Sequence, residues 1–392
     1  MIHLLYFASL IGLVSSTVFL ALTVVGGWLY RRAGKSEAFA MSQFPPVTVL
    51  KPLHGMEPLL EKNLESFFRQ DYPDFEIIFG ARNESDPALR VVKSLQGKHP
   101  HIRTRIVLSG EPTWPNAKVF ALEKMLEVAS ATYLVITDSD VCVAADCLKA
   151  VVTPLLDPGV GVVTCLYRGI SAGGFWSRVE ALGMSIEMPS GVLVARMLED
   201  MRFALGPTMA TRKDVLDAIG GIAVLGDYCA DDYILGHAAH AAGKKVVLSQ
   251  HIIGHVAMNT SLRPSIAHQV RWMRSTRFSR RAGHVGTGLT YAMPFGLLGA
   301  VAGVLDGTWQ IGVALMGWAY INRVIQAVAV GWGVIGDGQS LRYCWLYPIR
   351  DLMGFFVWCA SFVGNEIVWR NERYRLVAGG KMLIQRGARE RG

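Results

Sequence analysis

The side chains able to do chemistry in this 392-residue chain fall into three short acidic clusters and one arginine-rich stretch. Asp138-Ser139-Asp140 places two carboxylates on either side of a single residue. That spacing suits a hard divalent cation, which takes oxygen ligands and can bridge them to phosphates; the plainer reading is a turn. Asp86 precedes Pro87, where a carboxylate can cap a helix start or reach a ligand. In Ala230-Asp231-Asp232-Tyr233 two adjacent carboxylates repel one another. In an apolar setting that repulsion raises one pKa toward the range useful to a general base, whereas on a surface it is a solvated pair. His268-Gln269-Val270-Arg271-Trp272 lies among Arg263, Arg274, Arg277, Arg280 and Arg281 with no acid between them. Arginines so placed can neutralise a diphosphate through bidentate contacts or rest on anionic lipid.

The elements that must position these groups can be read from periodicity. Val47 to Leu50, Phe75 to Phe79, Ile102 to Leu108, Tyr133 to Thr137 and Val160 to Cys165 are strand-like. Between them, Leu59 to Phe68, Pro87 to Leu95 and Ala117 to Val128 have helical spacing. Strand and helix alternating at this pitch imply crossover units and a mostly parallel, Rossmann-like α/β sheet. In such sheets ligands sit beyond the carboxyl ends of the strands. Asp86 follows the second strand and Asp138-Ser139-Asp140 the fourth, so both fall on that rim.

The chain as a whole is unusually apolar: 51% of its residues are hydrophobic and 18% charged, against about a quarter charged in an ordinary soluble protein. Leu4 to Tyr30 carries no charge and is long enough to cross a hydrocarbon core of about 30 Å as a helix. No basic residue precedes the run, which weighs against a signal peptide. Arg31, Arg32 and Lys35 follow it, placing the next segment on the cytoplasmic side. Gly288 to Leu305 and Trp309 to Ile335 read as a helical hairpin broken at Asp306-Gly307-Thr308, with Arg323 required to face protein or a polar cavity. Cys344 to Trp369 is a third apolar stretch, and the basic tail after it also reads as cytoplasmic. Three full crossings conflict with that charge rule, so one segment is re-entrant or two spans are merged. The net charge of +8 is modest and serves anionic lipid as readily as nucleic acid. Six cysteines are too sparse for a disulfide scaffold. The expected organisation is an N-terminal transmembrane anchor (1–35), a cytosolic α/β domain (36–262), a basic interfacial helix (263–285), C-terminal membrane helices (286–369) and a basic cytoplasmic tail (370–392).

The order of these clusters, ending in an Arg-Trp pair before membrane helices, resembles the family 2-like inverting glycosyltransferases. The closer resemblance is to the ceramide glucosyltransferase family (a family 2/21 type), and within it to the bacterial hopanoid-biosynthesis glycosyltransferases. It is carried by Lys51-Pro52-Leu53-His54-Gly55, Asn63 to Phe68, Gln70-Asp71-Tyr72-Pro73, Thr164 to Gly169 and Trp369-Arg370 through Leu376. The resemblance implies a GT-A fold with N-terminal and C-terminal transmembrane helices, a UDP-sugar donor and a membrane lipid acceptor. By that resemblance Lys51, Asp86, Asn116, Lys118, Asp138 and His268 bind the donor, Asp86 at its uridine end. Asp138 and Asp140 hold a divalent cation (Mg2+ or Mn2+), Asp232 is the general base, and Arg271 and Trp272 complete the catalytic set. His268 stands where the family usually has Gln or Arg. Phe120 and Ala121 replace polar residues that often follow the Asn-x-Lys element.

The function expected is transfer of a hexose, glucose or N-acetylglucosamine, to a lipid hydroxyl such as that of ceramide or a hopanoid. The protein is then a multi-pass membrane protein with its catalytic domain on the cytoplasmic side of the cell inner membrane, and nucleic acid is not a partner. Gly206-Pro207-Thr208-Met209 is placed near the acceptor entrance or is a plain turn. A processive polysaccharide synthase would share the carboxylates but needs a channel; a non-catalytic nucleotide-sugar-binding scaffold would need none of them intact. The transferase reading requires the clusters to converge in a single pocket facing the bilayer.

Overall fold

The computed structural model describes residues 1–33, 44–369 and 372–385. The chain forms two compact units, each assembled from separated stretches of sequence. The α/β unit comprises 37–167, 201–258 and 366–392; the helical unit comprises 1–36, 168–200 and 259–365.

The α/β unit is built on an eight-stranded mixed sheet of order β3-β2-β1-β4-β7-β6-β8-β5. Its strands are β1 (Val47–Pro52), β2 (Phe75–Ala81), β3 (Arg103–Leu108), β4 (Tyr133–Thr137), β5 (Val141–Cys142), β6 (Val160–Ser171), β7 (Thr208–Arg212) and β8 (Lys245–Ala257). Strands β3, β2, β1 and β4 run parallel, and β7 is inserted antiparallel to both β4 and β6. Every residue of β1 and β2 is buried, as expected of strands covered on both faces; β3, at the edge, is not. The crossovers are α2 (Leu60–Phe68), α3 (Ala88–Lys98) and α4 (Ala117–Val128), while α5 (Cys147–Val152), α7 (Lys213–Ala218) and α8 (Asp231–Ala241) complete the layers. A second sheet, of order β11-β10-β9, is antiparallel and joins β9 (Glu366–Trp369), β10 (Glu372–Leu376) and β11 (Met382–Ile384).

The helical unit contains α1 (Ile2–Ala33), α6 (Gly174–Glu199), α9 (Leu262–Ser279), α10 (Arg281–Thr287), α11 (Met293–Leu305), α12 (Trp309–Gln326), α13 (Gly338–Arg342) and α14 (Tyr347–Ser361). Among the described residues, three helices suffice by length and composition to cross a membrane: Ile2–Ala33, Gly174–Glu199 and Trp309–Trp332. The buried side of α1 is Ser9, Gly12, Leu13, Ser16, Leu20, Thr23, Gly26, Gly27 and Tyr30, a stripe at helical spacing whose small residues permit close approach. A Cβ on Gly12 would fall 2.0 Å from the Phe295 ring, and one on Gly26 3.0 Å from the Leu193 carbonyl oxygen. The hairpin turn at Asp306-Gly307-Thr308 is present, with Gly307 at φ +73°. Arg323 does face protein: its guanidinium lies 3.1 Å from Asp351 and donates to the Thr290 carbonyl at 3.0 Å. Asp351 in turn accepts from the Ala292 and Met293 amides at the start of α11. Arg350 pairs with Glu187 at 2.6 Å.

The unit boundaries differ from the contiguous segments read along the chain. Residues 168–200, expected inside the 36–262 domain, pack with the membrane-type helices, and α6 is one of them. It is less apolar than α1 because it carries polar residues that find partners inside the unit. The stretch from Cys344 to Trp369 is not one apolar helix: α14 ends at Ser361 and β9 returns to the α/β unit. At 13 and 15 residues, α11 and α14 rise only about 20 Å each, short of a full hydrocarbon core. The basic stretch 263–285 is two helices broken at Arg280. Within the expected tail 370–392, two strands form; Lys35, Arg370, Arg386, Arg389 and Arg391 lie outside the described residues.

Candidate active site

The rim of the α/β unit gathers six ionisable side chains around the carboxyl ends of β1 and β4. Asp138 follows β4 directly, and its amide donates to the Pro207 carbonyl at 3.1 Å. Lys51, at the end of β1, is fully buried; its ammonium donates to the Asp138 carbonyl at 2.5 Å and sits 3.8 Å over the Phe67 ring. Burial depresses its pKa to about 7 against the pull of Asp138 and Asp140. The Lys51 side chain therefore holds the backbone that carries Asp138.

Lys118 is the hub. Asn116 caps α4, its Oδ1 accepting from the Lys118 and Val119 amides at 3.0 and 3.2 Å. That cap fixes the first turn of the helix and delivers the Lys118 ammonium to within 2.6 Å of Asp138 and 3.6 Å of Asp231. Burial works against the Lys118 charge, but Asp138 and Asp231 overcome it and hold the ammonium above the ordinary lysine range. The other end of the Asn116 amide donates to the Tyr228 carbonyl at 2.9 Å. Asn116 is wholly buried and acts by positioning Lys118 and the turn before Asp231.

Asp232 begins α8. Its Oδ2 accepts from the Gly206 amide at 2.7 Å and its Oδ1 from the Tyr233 amide at 2.8 Å. Burial, and then repulsion from Asp231, raise its pKa to about 6, against the lowering effect of those amides and Lys118. The Gly206-Pro207 turn thus ties two clusters together: Gly206 donates to Asp232 and Pro207 accepts from Asp138. A Cβ on Gly206 would stand 3.0 Å from Asp232 Oδ2, so a larger residue there would press on that carboxylate.

Asp140 precedes β5 and is held by His255 near the end of β8, with Nε2 and Oδ2 3.2 Å apart. Burial alone would raise the Asp140 pKa, but His255 outweighs it and holds the carboxyl below the usual range. Asp140 Oδ1 is buried with no hydrogen-bond partner among the described residues. An anionic oxygen left unpaired at depth is costly and is what a bound cation would relieve. Asp138, with 30% of its side chain exposed, is the more accessible of the two. Both carboxylates therefore fit a divalent cation, although no group of three His, Cys, Asp or Glu side chains clusters at metal spacing among the described residues. Asp86 takes the helix-start role considered for it and also ties down a loop. It accepts from the Ala88 amide at 2.9 Å at the start of α3, and from the Gly55 amide at 3.1 Å, latching the loop after β1.

A match to the family described as "Glycosyl transferase family 21" runs over residues 4–382. The chain belongs to glycosyl transferase family 21. It is a membrane protein and a nucleotide-sugar hexosyltransferase, with the α/β sheet of a GT-A fold. Among its relatives, ceramide glucosyltransferase 1 of Caenorhabditis elegans is 25% identical over 351 residues, covering 88% of this chain and 75% of the relative. A ceramide glucosyltransferase of Komagataella phaffii is 38% identical over 117 residues, 29% of this chain and 23% of that one. Among solved structures, a mannosyltransferase from Pyrobaculum calidifontis in complex with GDP-Man and Mn2+ aligns at 18% identity and a TM-score of 0.49, covering 91% of this chain and 99% of that one.

In this family 21 transferase the remaining expected residues, His268, Arg271 and Trp272, are on α9 of the helical unit. His268 Nδ1 lies 2.9 Å from Glu180, and its ring is 4.3 Å from that of Trp272. Glu180, 2% exposed, also accepts from the Ser265 hydroxyl at 2.5 Å. Sequence reasoning missed Glu180 and His255. Each had a signal: an acid interrupting the apolar run of α6, and a histidine inside the apolar end of β8. Neither shows its partner, 88 residues away for Glu180 and 115 for His255.

Proposed function

We propose that this transferase moves glucose or N-acetylglucosamine from a UDP-sugar to the hydroxyl of a membrane lipid, by single displacement with inversion at the anomeric carbon. The observation that carries the reading is the buried rim where Lys118 joins Asp138 to Asp231, with Asp232 beside them held by the Gly206 amide. A carboxylate with a pKa of about 6 is ionised at neutral pH yet more basic than an ordinary aspartate, as a general base requires. In the reaction the lipid oxygen bonds to the anomeric carbon and its proton passes to Asp232. The bond from that carbon to the diphosphate breaks, and its electron pair leaves with UDP.

The ammonium of Lys118, rigidly aimed by the Asn116 cap, is placed to stabilise negative charge on the rim without reorganising. Asp138 and Asp140 would hold a divalent cation, which supplies charge neutralisation on the donor diphosphate. Arg271 is assigned to the same developing charge, and Trp272 and His268 to the helix that presents it. Membrane-type helices in the same chain suit an acceptor with a greasy body and a polar head. Ceramide and a hopanoid polyol are both such acceptors, and the ceramide glucosyltransferase names of the relatives favour the first. The proposed disposition is a multi-pass protein with the α/β unit on the cytoplasmic side. The test is incubation of purified protein with UDP-glucose or UDP-N-acetylglucosamine, divalent cation and extracted lipids, with the product mass read out. A singly glycosylated lipid is expected. A polymer would favour a synthase, and no turnover with any lipid and metal would defeat the reading.

A further inference from the structure

Beside the charged rim lies a second concavity within the α/β unit, and its walls come from opposite ends of the chain. The inner wall is His54 and Arg82, after β1 and β2, with Pro115 and Ala117 on either side of the Asn116 cap. The outer wall is Trp369, Glu372 and Tyr374, from strands β9 and β10 of the C-terminal sheet. The two sites adjoin along the chain: Ala117 of this wall is next to Lys118 of the rim, and His54 follows Lys51 by three positions.

The lining is unlike the rim. One arginine and one glutamate leave it without net charge, and a proline, an alanine and two aromatic rings make up most of the remainder. Such a surface suits a flat, uncharged, hydrogen-bonding ring better than a phosphate. The outer wall is also anchored. The Cys229 amide donates to the Gly380 carbonyl, the Met382 amide donates to Asp227 at 2.7 Å, and Tyr228 bridges Lys381. These bonds fasten the C-terminal sheet to the turn that leads into Asp231 and Asp232, so the wall is preformed rather than draped.

We propose that the C-terminal three-stranded sheet forms the outer wall of the nucleobase subsite, with Trp369 and Tyr374 packing on the base of the nucleoside diphosphate sugar across from Pro115 and Arg82. This rests on the donor reading above and assigns a role to a segment that lies outside the strand-helix repeat. Base-aromatic stacking is tolerant of sequence but sensitive to loss of the ring. Discrimination among bases then falls to the polar groups, Arg82, Glu372 and His54.

The test is titration of UDP, ADP and inorganic pyrophosphate into full-length protein in lipid nanodiscs, followed by calorimetry. Trp369→Ala and Tyr374→Ala are each expected to weaken UDP binding roughly tenfold, to narrow the preference for UDP over ADP, and to leave pyrophosphate binding unchanged. Leu383→Ala, on the exposed side of the same sheet, is expected to bind as wild type does. UDP affinity within twofold of wild type in both aromatic variants would overturn the proposal. Wild-type protein that binds no UDP at all would instead overturn the donor reading. A 5-azido-UDP photoprobe on unmodified protein tests the wall independently of variant folding. Label in the peptide spanning 366–385 supports it, and label confined to other peptides refutes it.

Discussion

In the α/β unit, Lys51 and Lys118 stand among Asp138, Asp140, Asp231 and Asp232, two bases against four acids. In the helical unit, Arg323 faces Asp351 and Arg350 faces Glu187, one base to each acid. Both sets are largely buried, and both contain unpartnered polar atoms among the described residues, Glu187 Oε1 in one and Asp140 Oδ1 in the other, yet their charge balance differs. The matched pairs in the helical unit neutralise each other where charge is most expensive, and Asp351 also closes the start of α11. The rim is left with an excess of negative charge and a carboxyl on Asp232 that burial and repulsion have made basic. Charge balance marks a structural network, and imbalance marks a site waiting for a cationic partner or a proton.

The sharpest way to separate the two is to remove one charge from each. Asp232→Asn should lower single-turnover transfer of radiolabelled sugar by about a thousandfold while UDP binding persists. Because Asp232 holds its proton more tightly folded than unfolded, its ionised form destabilises the fold above pH about 6. The same variant should therefore melt at a higher temperature at neutral pH, and a lowered Tm would contradict the idea that this carboxyl is strained for function. Arg323→Met should do the reverse. It leaves Asp351 charged and unpaired, costing on the order of 3 kcal/mol in detergent-resolved unfolding, and Arg323→Met with Asp351→Leu should recover part of that loss. A single variant as stable as wild type would show that the pair is not structural.

A smaller effect is expected behind the rim. His255→Ala removes the group that orients Asp140, and should raise the Mg2+ concentration for half-maximal turnover about tenfold with little change in saturated rate. An unchanged metal requirement would take Asp140 out of the cation site. The smallest effect concerns pH. In wild type, kcat/KM should be level above about 6 and fall below it, by about tenfold per unit once the base is protonated. Asp231→Asn removes the neighbouring negative charge, so the Asp232 pKa should drop and the acid limb move to lower pH by less than about one unit. A limb that stays in place would mean burial alone sets that pKa.

Much of the α/β unit is legible because alternation and periodicity are local. Ala117–Val128 and Tyr133–Thr137 form over the residues whose spacing implies them, and Asp138 and Asp140 follow from the rule that ligands gather at strand ends. The α1 helix is equally plain from an uncharged run. The character of α6 was not, because Arg178, Glu180 and Glu187 interrupt its hydropathy, and only the tertiary structure shows His268 against Glu180 and Arg350 against Glu187. Nor could the chain reveal that Lys51 is spent on a backbone carbonyl, or that Asn116 serves by aiming Lys118.

Residue types, their order and the local elements that carry them follow from neighbours a few positions apart, and so are written in the chain. Which charges meet is not. Folding sets Asp231 beside Lys118, Gly206 against Asp232, and a C-terminal sheet along the pocket that begins at His54. A pKa, a cation site or a stacking wall is a property of distance and burial, and residues far apart in sequence acquire these when the chain closes on itself.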